Sequence, residues 1–380
     1  MKKFSLYFFV AALSIGMIAC DNSDDDDDFT TGYGYDMTDI IDDYVDKTVL
    51  PTYEDMKNKA WELYAAVEKL NTEGGLTDAN IQAACDAWRA TRVPWEQSEA
   101  FLFGPADKLN LDPLLDSWPL DQTQIETVLK GGNYDAGSLG ENVRGFHTVE
   151  YLLFKDGQAR TVQQIGEFGP AEEHLEYLTV VTETLRNDCI KLWSAWAGEE
   201  ALKGDDAEAM EEIEFTPESP SYASQFKNAG KAGSLLPSKD VAVDNIIQGC
   251  ADITDEVSAQ KIGGPYDKAV AGNREEAVLE VESWYSWNSI TDYMNNIESI
   301  RNSYLGGREG DRGASLSAFV KSRDEALNTK VLAAIEKAYN AIKNMDSPFR
   351  NNLDNDKVKA AITASRELEE TMVELFQLKN

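Results

Sequence analysis

Apolar residues recur at helical spacing along most of the chain. Met56, Ala60, Leu63, Val67 and Leu70 step by fours and threes, which places them on one face of a helix. Leu178, Val181, Leu185, Cys189, Leu192 and Trp196 repeat the pattern, as do Ile290, Tyr293, Ile297, Ile300 and Tyr304. Two more stripes come later, Val331, Ala334 or Ile335, Ala338 and Ile342, then Val358, Ile362, Ser365, Leu368, Met372 and Leu375. Thr77 supplies a cap before a helix predicted over 79–102, and Pro94 should kink or interrupt it, because proline lacks the donor and clashes with the preceding turn. No run alternates with the period of a strand. The pattern predicts an all-α protein, with antiparallel helical bundles as the simplest way to bury such stripes.

Two stretches break the periodicity. Residues 104–140 collect Gly104-Pro105, Asn110, Pro113, Pro119, Gly131-Gly132 and Gly137 to Gly140, an irregular connection long enough to suggest a functional segment. The second, about 198–240, reads as an inter-domain connection with room for one short helix. The division expected is therefore a first bundle at 35–203, a connection at 204–234 and a second bundle at 235–380. At roughly 100–200 residues per domain, the length suits two domains.

The first residues describe a targeting segment. Lys2 and Lys3 precede the apolar run Tyr7 to Leu13, and small residues lead to Cys20. That run is shorter than the roughly 20 residues of a membrane span. Residues 1–19 are thus read as a signal peptide and Cys20, which resembles a bacterial lipobox cysteine, as the lipidated N-terminus. Asp24 to Asp28 come next in an acidic tether expected over 20–34, similar to the tag on Bacteroidetes-type lipoproteins. An outer-membrane lipoprotein is expected, displayed on the cell surface rather than in the periplasm, with the membrane as partner through Cys20.

The formal net charge is −33, and removing Lys2 and Lys3 deepens it. So acidic a chain excludes nucleic acid as a partner and is compatible with attracting cations. Cys85, Cys189 and Cys250 are too few and too scattered for a disulfide framework and read as buried thiols, although one bridge stays open.

Candidate chemistry centres on Gly145 to Phe154. His147, one of only two histidines, stands three residues before Glu150. On a helix both reach the same ion or proton. Glu96 and Glu99 repeat that spacing, and Asp112 and Asp116 offer further oxygens. Carboxylates plus one imidazole suit iron, manganese, calcium or weakly held zinc. A solvated face explains the glutamates equally well, and a buried hydrogen-bonded pair explains His147 with Glu150. A zinc protease is disfavoured, since Tyr151 stands where a second histidine would be needed, and His174, set among acids, reads as solvent-facing. Ser283, Ser286 and Ser289 lack a nucleophile elbow.

Four blocks carry a family resemblance. Gly145, His147 and Glu150 match the G-x-H-x-x-E motif of the imelysin family, and Arg92 to Pro105 resembles its R-x-x-W-E-x-x-E-x-F-x-F-G-P block. Asp116, Trp118, Pro119 and Asp121 are similar to its D-x-W-P-x-D segment, and Glu282, Ser283, Ser286, Asn288 and Ser289 to its E-S-x-x-S-x-N-S region. Trp284-Tyr285 departs from the proline-aromatic pair common there. The resemblance implies two helical bundles with the motif near their interface, an association with iron uptake, and a peptidase label. It implies His147, Glu150, Glu96, Glu99 and one of Asp112 or Asp116 as ligands, with Gly145, Arg92, Trp118, Asp121, Glu282, Ser283 and Ser286 lining the site. The leading expectation is a binding protein for a metal ion or metal complex, iron favoured over zinc or calcium, with an envelope uptake partner. The alternatives are a metallopeptidase-like hydrolase with Glu150 or Glu99 as general base, and a surface protein binding glycans or partners through Trp118, Trp284 or Trp287.

Overall fold

The computed structural model describes residues 32–132, 134–167 and 169–379; the expected signal segment, Cys20 and the aspartate run lie outside them. Among the described residues the fold is helical apart from one small hairpin, Phe154–Lys155 paired antiparallel with Gln158–Ala159. The periodic stripes form its core. Met56, Ala60, Leu63, Val67 and Leu70 are all buried, and so are Leu178 to Trp196 of the second stripe and Val358, Leu368 and Met372 of the last.

Leu50–Leu70 packs between Asp78–Glu96 and Ala171–Ala197, with the short helix Gly145–Leu153 laid against the last two. Lys239–Asp255, Ser289–Leu305, Glu325–Lys343 and Asp356–Val373 form a second packed group. The groups meet where Ser289–Leu305 lies on Asp78–Glu96 and where the turn Glu99–Phe101 lies on Lys239–Asp255. Gly249 makes that second contact close, since a Cβ there would stand 2.1 Å from the Ala100 carbonyl oxygen. One apolar core runs through both groups.

Several local expectations change. Thr77 does cap its helix, accepting from the Asn80 amide, but the helix ends at Glu96 rather than near 102. Without an amide proton at Pro94 it lasts less than one further turn. Glu96 and Glu99 therefore belong to different elements, the helix and the single turn Glu99–Phe101 after it. Residues 104–140 are less irregular than their composition suggests. Pro105 and Pro113 open the short helices Pro105–Lys108 and Asp112–Asp116, the role proline plays at a first helical turn, and Asp121 caps Gln122–Gly131. Residues 204–234 include Asp205–Glu212 and Tyr222–Lys227, both packed on Ala171–Ala197. Tyr33, assigned by sequence to the tether, is buried and donates to Asp244 Oδ1 at 2.7 Å. Cys85, Cys189 and Cys250 are buried free thiols.

Candidate functional site

The meeting line of the two groups holds a dry cluster of charge. Gly145 starts the construction. Its φ is +80°, and a Cβ there would lie 2.5 Å from the Leu115 carbonyl oxygen and 2.8 Å from that of Leu114. Only glycine lets the Gly145–Leu153 helix settle so closely on Asp112–Asp116. That approach brings His147 Nε2 to 3.0 Å from Asp116 Oδ1.

One helical turn on, Glu150 Oε2 lies 3.0 Å from His147 Nδ1. Glu150 is itself fixed, because its Oε1 accepts from the Ser286 amide at 2.8 Å and the Ser286 hydroxyl at 2.7 Å. The imidazole thus donates Nδ1–H to an anchored carboxylate and turns Nε2 towards Asp116 and towards Glu282 Oε1, 3.8 Å away. Nε2 is buried, with Asp116 as its nearest charged neighbour. Burial alone would disfavour a charged imidazole, yet Asp116 outweighs it and holds His147 well above the usual histidine range. Burial likewise pushes Asp116 up, but Arg92 and His147 outweigh it and hold its carboxyl well below the usual carboxylate range.

Arg92 is the hub on the other side. It donates to Asp116, to Glu96, and to Glu282 Oε1 at 2.9 Å, and stands 3.6 Å from Asp292. Trp95 Nε1 donates to the second Asp116 oxygen at 2.6 Å, and Asn296 Nδ2 to Glu96 Oε2 at 2.5 Å. Lys261 Nζ approaches both Glu282 oxygens, at 3.2 and 3.1 Å, and stands 3.6 Å from Glu99. Six buried carboxylates, Glu96, Glu99, Asp116, Glu150, Glu282 and Asp292, face two permanent cations, Arg92 and Lys261. Such a surplus is sustained by protons or by a further cation. Burial raises Glu99 well above the usual range and Asp292 to about 6, so protons carry part of it.

The sequence candidates divide accordingly. Arg92, Glu96, Glu99, Asp116, His147, Glu150, Glu282, Ser283 and Ser286 converge, with Gly145 as the backbone hinge. Ser286 faces Glu150 rather than His147, which gives no serine–histidine pair there. Trp118 is half-buried, its ring centre 6.0 Å from Lys261 Nζ. Asp112 is exposed at the far end of its helix from Asp116, and Asp121 is exposed, its side chain spent accepting from the Gln124 amide. Neither belongs to the donor groups whose atoms gather within 4.8 Å of one another. Lys261, Asp292 and Asn296 were not foreseen as site residues.

His174 is a plain correction. Its ring is buried, with Nε2 3.0 Å from the Leu152 carbonyl oxygen, and burial followed by the Arg160 charge lowers its pKa to about 4. The folded value lies below the unfolded one, so stability is complete above pH 6.5 and falls as the unfolded chain alone takes up the proton. Between pH 7.5 and 5 the loss is about 2 kcal/mol. Urea unfolding of His174→Gln should show a pH slope shallower by that amount; parallel slopes would refute it.

A set of one imidazole nitrogen and two carboxylate oxygens, from Asp116, His147 and Glu282, gathers within 4.8 Å. Donors at roughly 2.0–2.2 Å from one ion lie about 3–3.5 Å apart, so the observed 3.0 and 3.8 Å suit a cation. A second group, Glu96, Glu99 and Asp116, is equally close, and Arg92 and Lys261 stand against the oxygens of both groups; the first differs in offering an imidazole nitrogen. An open apolar cavity of about 450 Å³, lined by Tyr222, Leu235, Leu236 and Val241, shares no residue with the cluster.

Comparison with known proteins adds context. The family model described as imelysin matches residues 49–374. Iron-regulated protein A of Synechococcus elongatus is 26% identical over 327 residues, covering 86% of this chain and 81% of that protein. A solved structure from Parabacteroides distasonis, assigned as an iron-regulated protein A precursor, is 36% identical with a TM-score of 0.80, covering 90% of this chain and 95% of its own. An imelysin-like protein from Psychrobacter arcticum is 13% identical with a TM-score of 0.60, covering 89% and 92%, a likeness of fold.

Proposed function

This chain belongs to the imelysin family, and from that premise we propose that it binds a metal cation, iron favoured, as a cell-envelope lipoprotein serving metal uptake. His147 Nε2, Asp116 and Glu282 hold the cation; Glu150, anchored by Ser286, fixes the imidazole tautomer. The observation that carries the reading is the convergence of His147 Nε2 with carboxylate oxygens of Asp116 and Glu282 in a dry cluster. Imidazole with carboxylates suits iron, and the relatives named for iron regulation favour it over zinc or calcium. Attachment through lipidated Cys20 belongs to the same reading; no helix among the described residues is long and apolar enough to cross a membrane.

Size favours binding over hydrolysis. His147 is 2% exposed and Glu150 1%, a burial that suits a small ion better than a peptide bond. Calorimetry with Fe(II), Zn(II) and Ca(II) on the chain from residue 21 onwards tests the proposal. One equivalent should bind, and His147→Ala should abolish it. Glu150→Gln, which disturbs only the orienting partner, should weaken binding by roughly 10–100-fold. Equal binding in wild type and His147→Ala sinks the reading.

A further inference from the structure

Lys261 carries a compact ammonium on a flexible four-carbon stem, whereas the Arg92 fork is tied to Glu96, Asp116 and Glu282 at once. It closes the π-helical turn Glu256–Lys261, where the Ile262 amide reaches back five residues to the Val257 carbonyl at 3.1 Å. Such a turn inserts a residue into a helix and rotates the residues beyond it, and here it delivers a lysine into the dry interior. The ammonium meets both oxygens of Glu282, and Oε1 is the oxygen that faces His147 Nε2. Its other neighbours are Glu99 and Glu256 at 3.6 Å and Glu96 at 3.9 Å.

We propose that Lys261 is a tethered counter-ion that competes with an incoming metal for Glu282 and so sets the affinity of the centre; this rests on the metal-binding reading above. An ammonium and a metal ion make the same demand on a carboxylate, and two positive charges a few ångströms apart in a dry site repel strongly. Loading therefore requires Lys261 to withdraw. The way out is marked by charge and by water. Glu99 and Glu256 stand at equal distance from Nζ, and the Glu256 side chain is 35% exposed whereas that of Glu282 is fully buried. Rotation about the outer bonds of the stem carries the ammonium from the dry carboxylate to the wetter one. The gathering of His147 Nε2 with Asp116 and Glu282 oxygens within 4.8 Å is the independent sign that the inner position is built for a ligand.

The test measures cation binding and thermal stability in Lys261→Met, which keeps the stem and removes the charge, and in Lys261→Arg, which keeps the charge. The Met variant should bind Fe(II) and Zn(II) at least about tenfold tighter than wild type. It should also unfold at lower temperature without metal and gain more from its addition; the Arg variant should behave as wild type. A folded Met variant with wild-type or weaker affinity overturns the proposal. Should that variant fail to fold, Lys261→Met with Glu256→Gln, which restores the charge balance, decides by the same criterion. Metal binding by the Met variants alone would sink the functional reading for the native chain and keep this one. Binding by wild type alone would do the reverse, and binding by none removes both.

Discussion

Replacing Arg92 with alanine is expected to lower the unfolding free energy by about 3–5 kcal/mol, the range for removing one partner of a buried ion pair. The guanidinium is fully buried and serves Asp116, Glu96 and Glu282 at once, with Asp292 close by. Deleting it strands several carboxylates in a medium that solvates them poorly. Urea unfolding near pH 7.5 measures the loss. The deficit should shrink towards pH 5, because the stranded carboxyls take up protons once their counter-charge is gone. Wild type keeps what ionised Asp116 contributes over this range, since its folded pKa is depressed and that stability is lost only as the pH falls below the ordinary carboxylate range, so the narrowing comes from the variant alone. Lys130→Ala is the control: its pair with Glu126 spans 3.4 Å on the surface, and such pairs contribute roughly 0–1 kcal/mol. Equal effects from the two substitutions would mean that the cluster is not held by Arg92.

How much of this was legible depended on how far apart in sequence the partners lie. The helices were legible because burial repeats with the helical period, and His147 with Glu150 because three residues make one turn. The association of His147 with Asp116 and Glu282 came from the family resemblance and not from spacing, since the contacts arise from a backbone approach at Gly145 and from pairing across more than a hundred residues. Pro94 misled in one respect. Its effect on the helix was foreseen, yet Glu96 and Glu99 were still read as one face of a single helix. His174 was readable and missed. It precedes Leu178 and Val181 by four and seven residues and shares their buried face, but its acidic neighbours drew it to the surface. Asp292, Asn296 and Ser299 likewise repeat at four and three beside the Tyr293–Ile297–Ile300 stripe, a polar row too regular to be a solvated face. Lys261 gave no such sign, because the π-helical turn shifts the phase on which any periodic reading relies.

Gly145→Ala should cost about 3 kcal/mol and loosen the centre as well as the fold. Two penalties add. A non-glycine residue at φ +80° carries roughly 1–2 kcal/mol of backbone strain, and overpacking a tight contact typically adds about 1–3 kcal/mol. The atoms in the way are the Leu114 and Leu115 carbonyl oxygens, which belong to backbone and have no rotamer to escape into. Relief therefore comes from lifting the Gly145–Leu153 helix away from Asp112–Asp116, which widens the 3.0 Å gap between His147 Nε2 and Asp116. Gly74→Ala separates the two penalties, since Gly74 also has a positive φ, +73°, but nothing within 4 Å of its added Cβ. It should lose only the strain and leave cation affinity untouched, whereas Gly145→Ala should lose stability and affinity together. If both alanines destabilise equally and neither alters cation binding, close approach at Gly145 is not what brings the imidazole to its carboxylates.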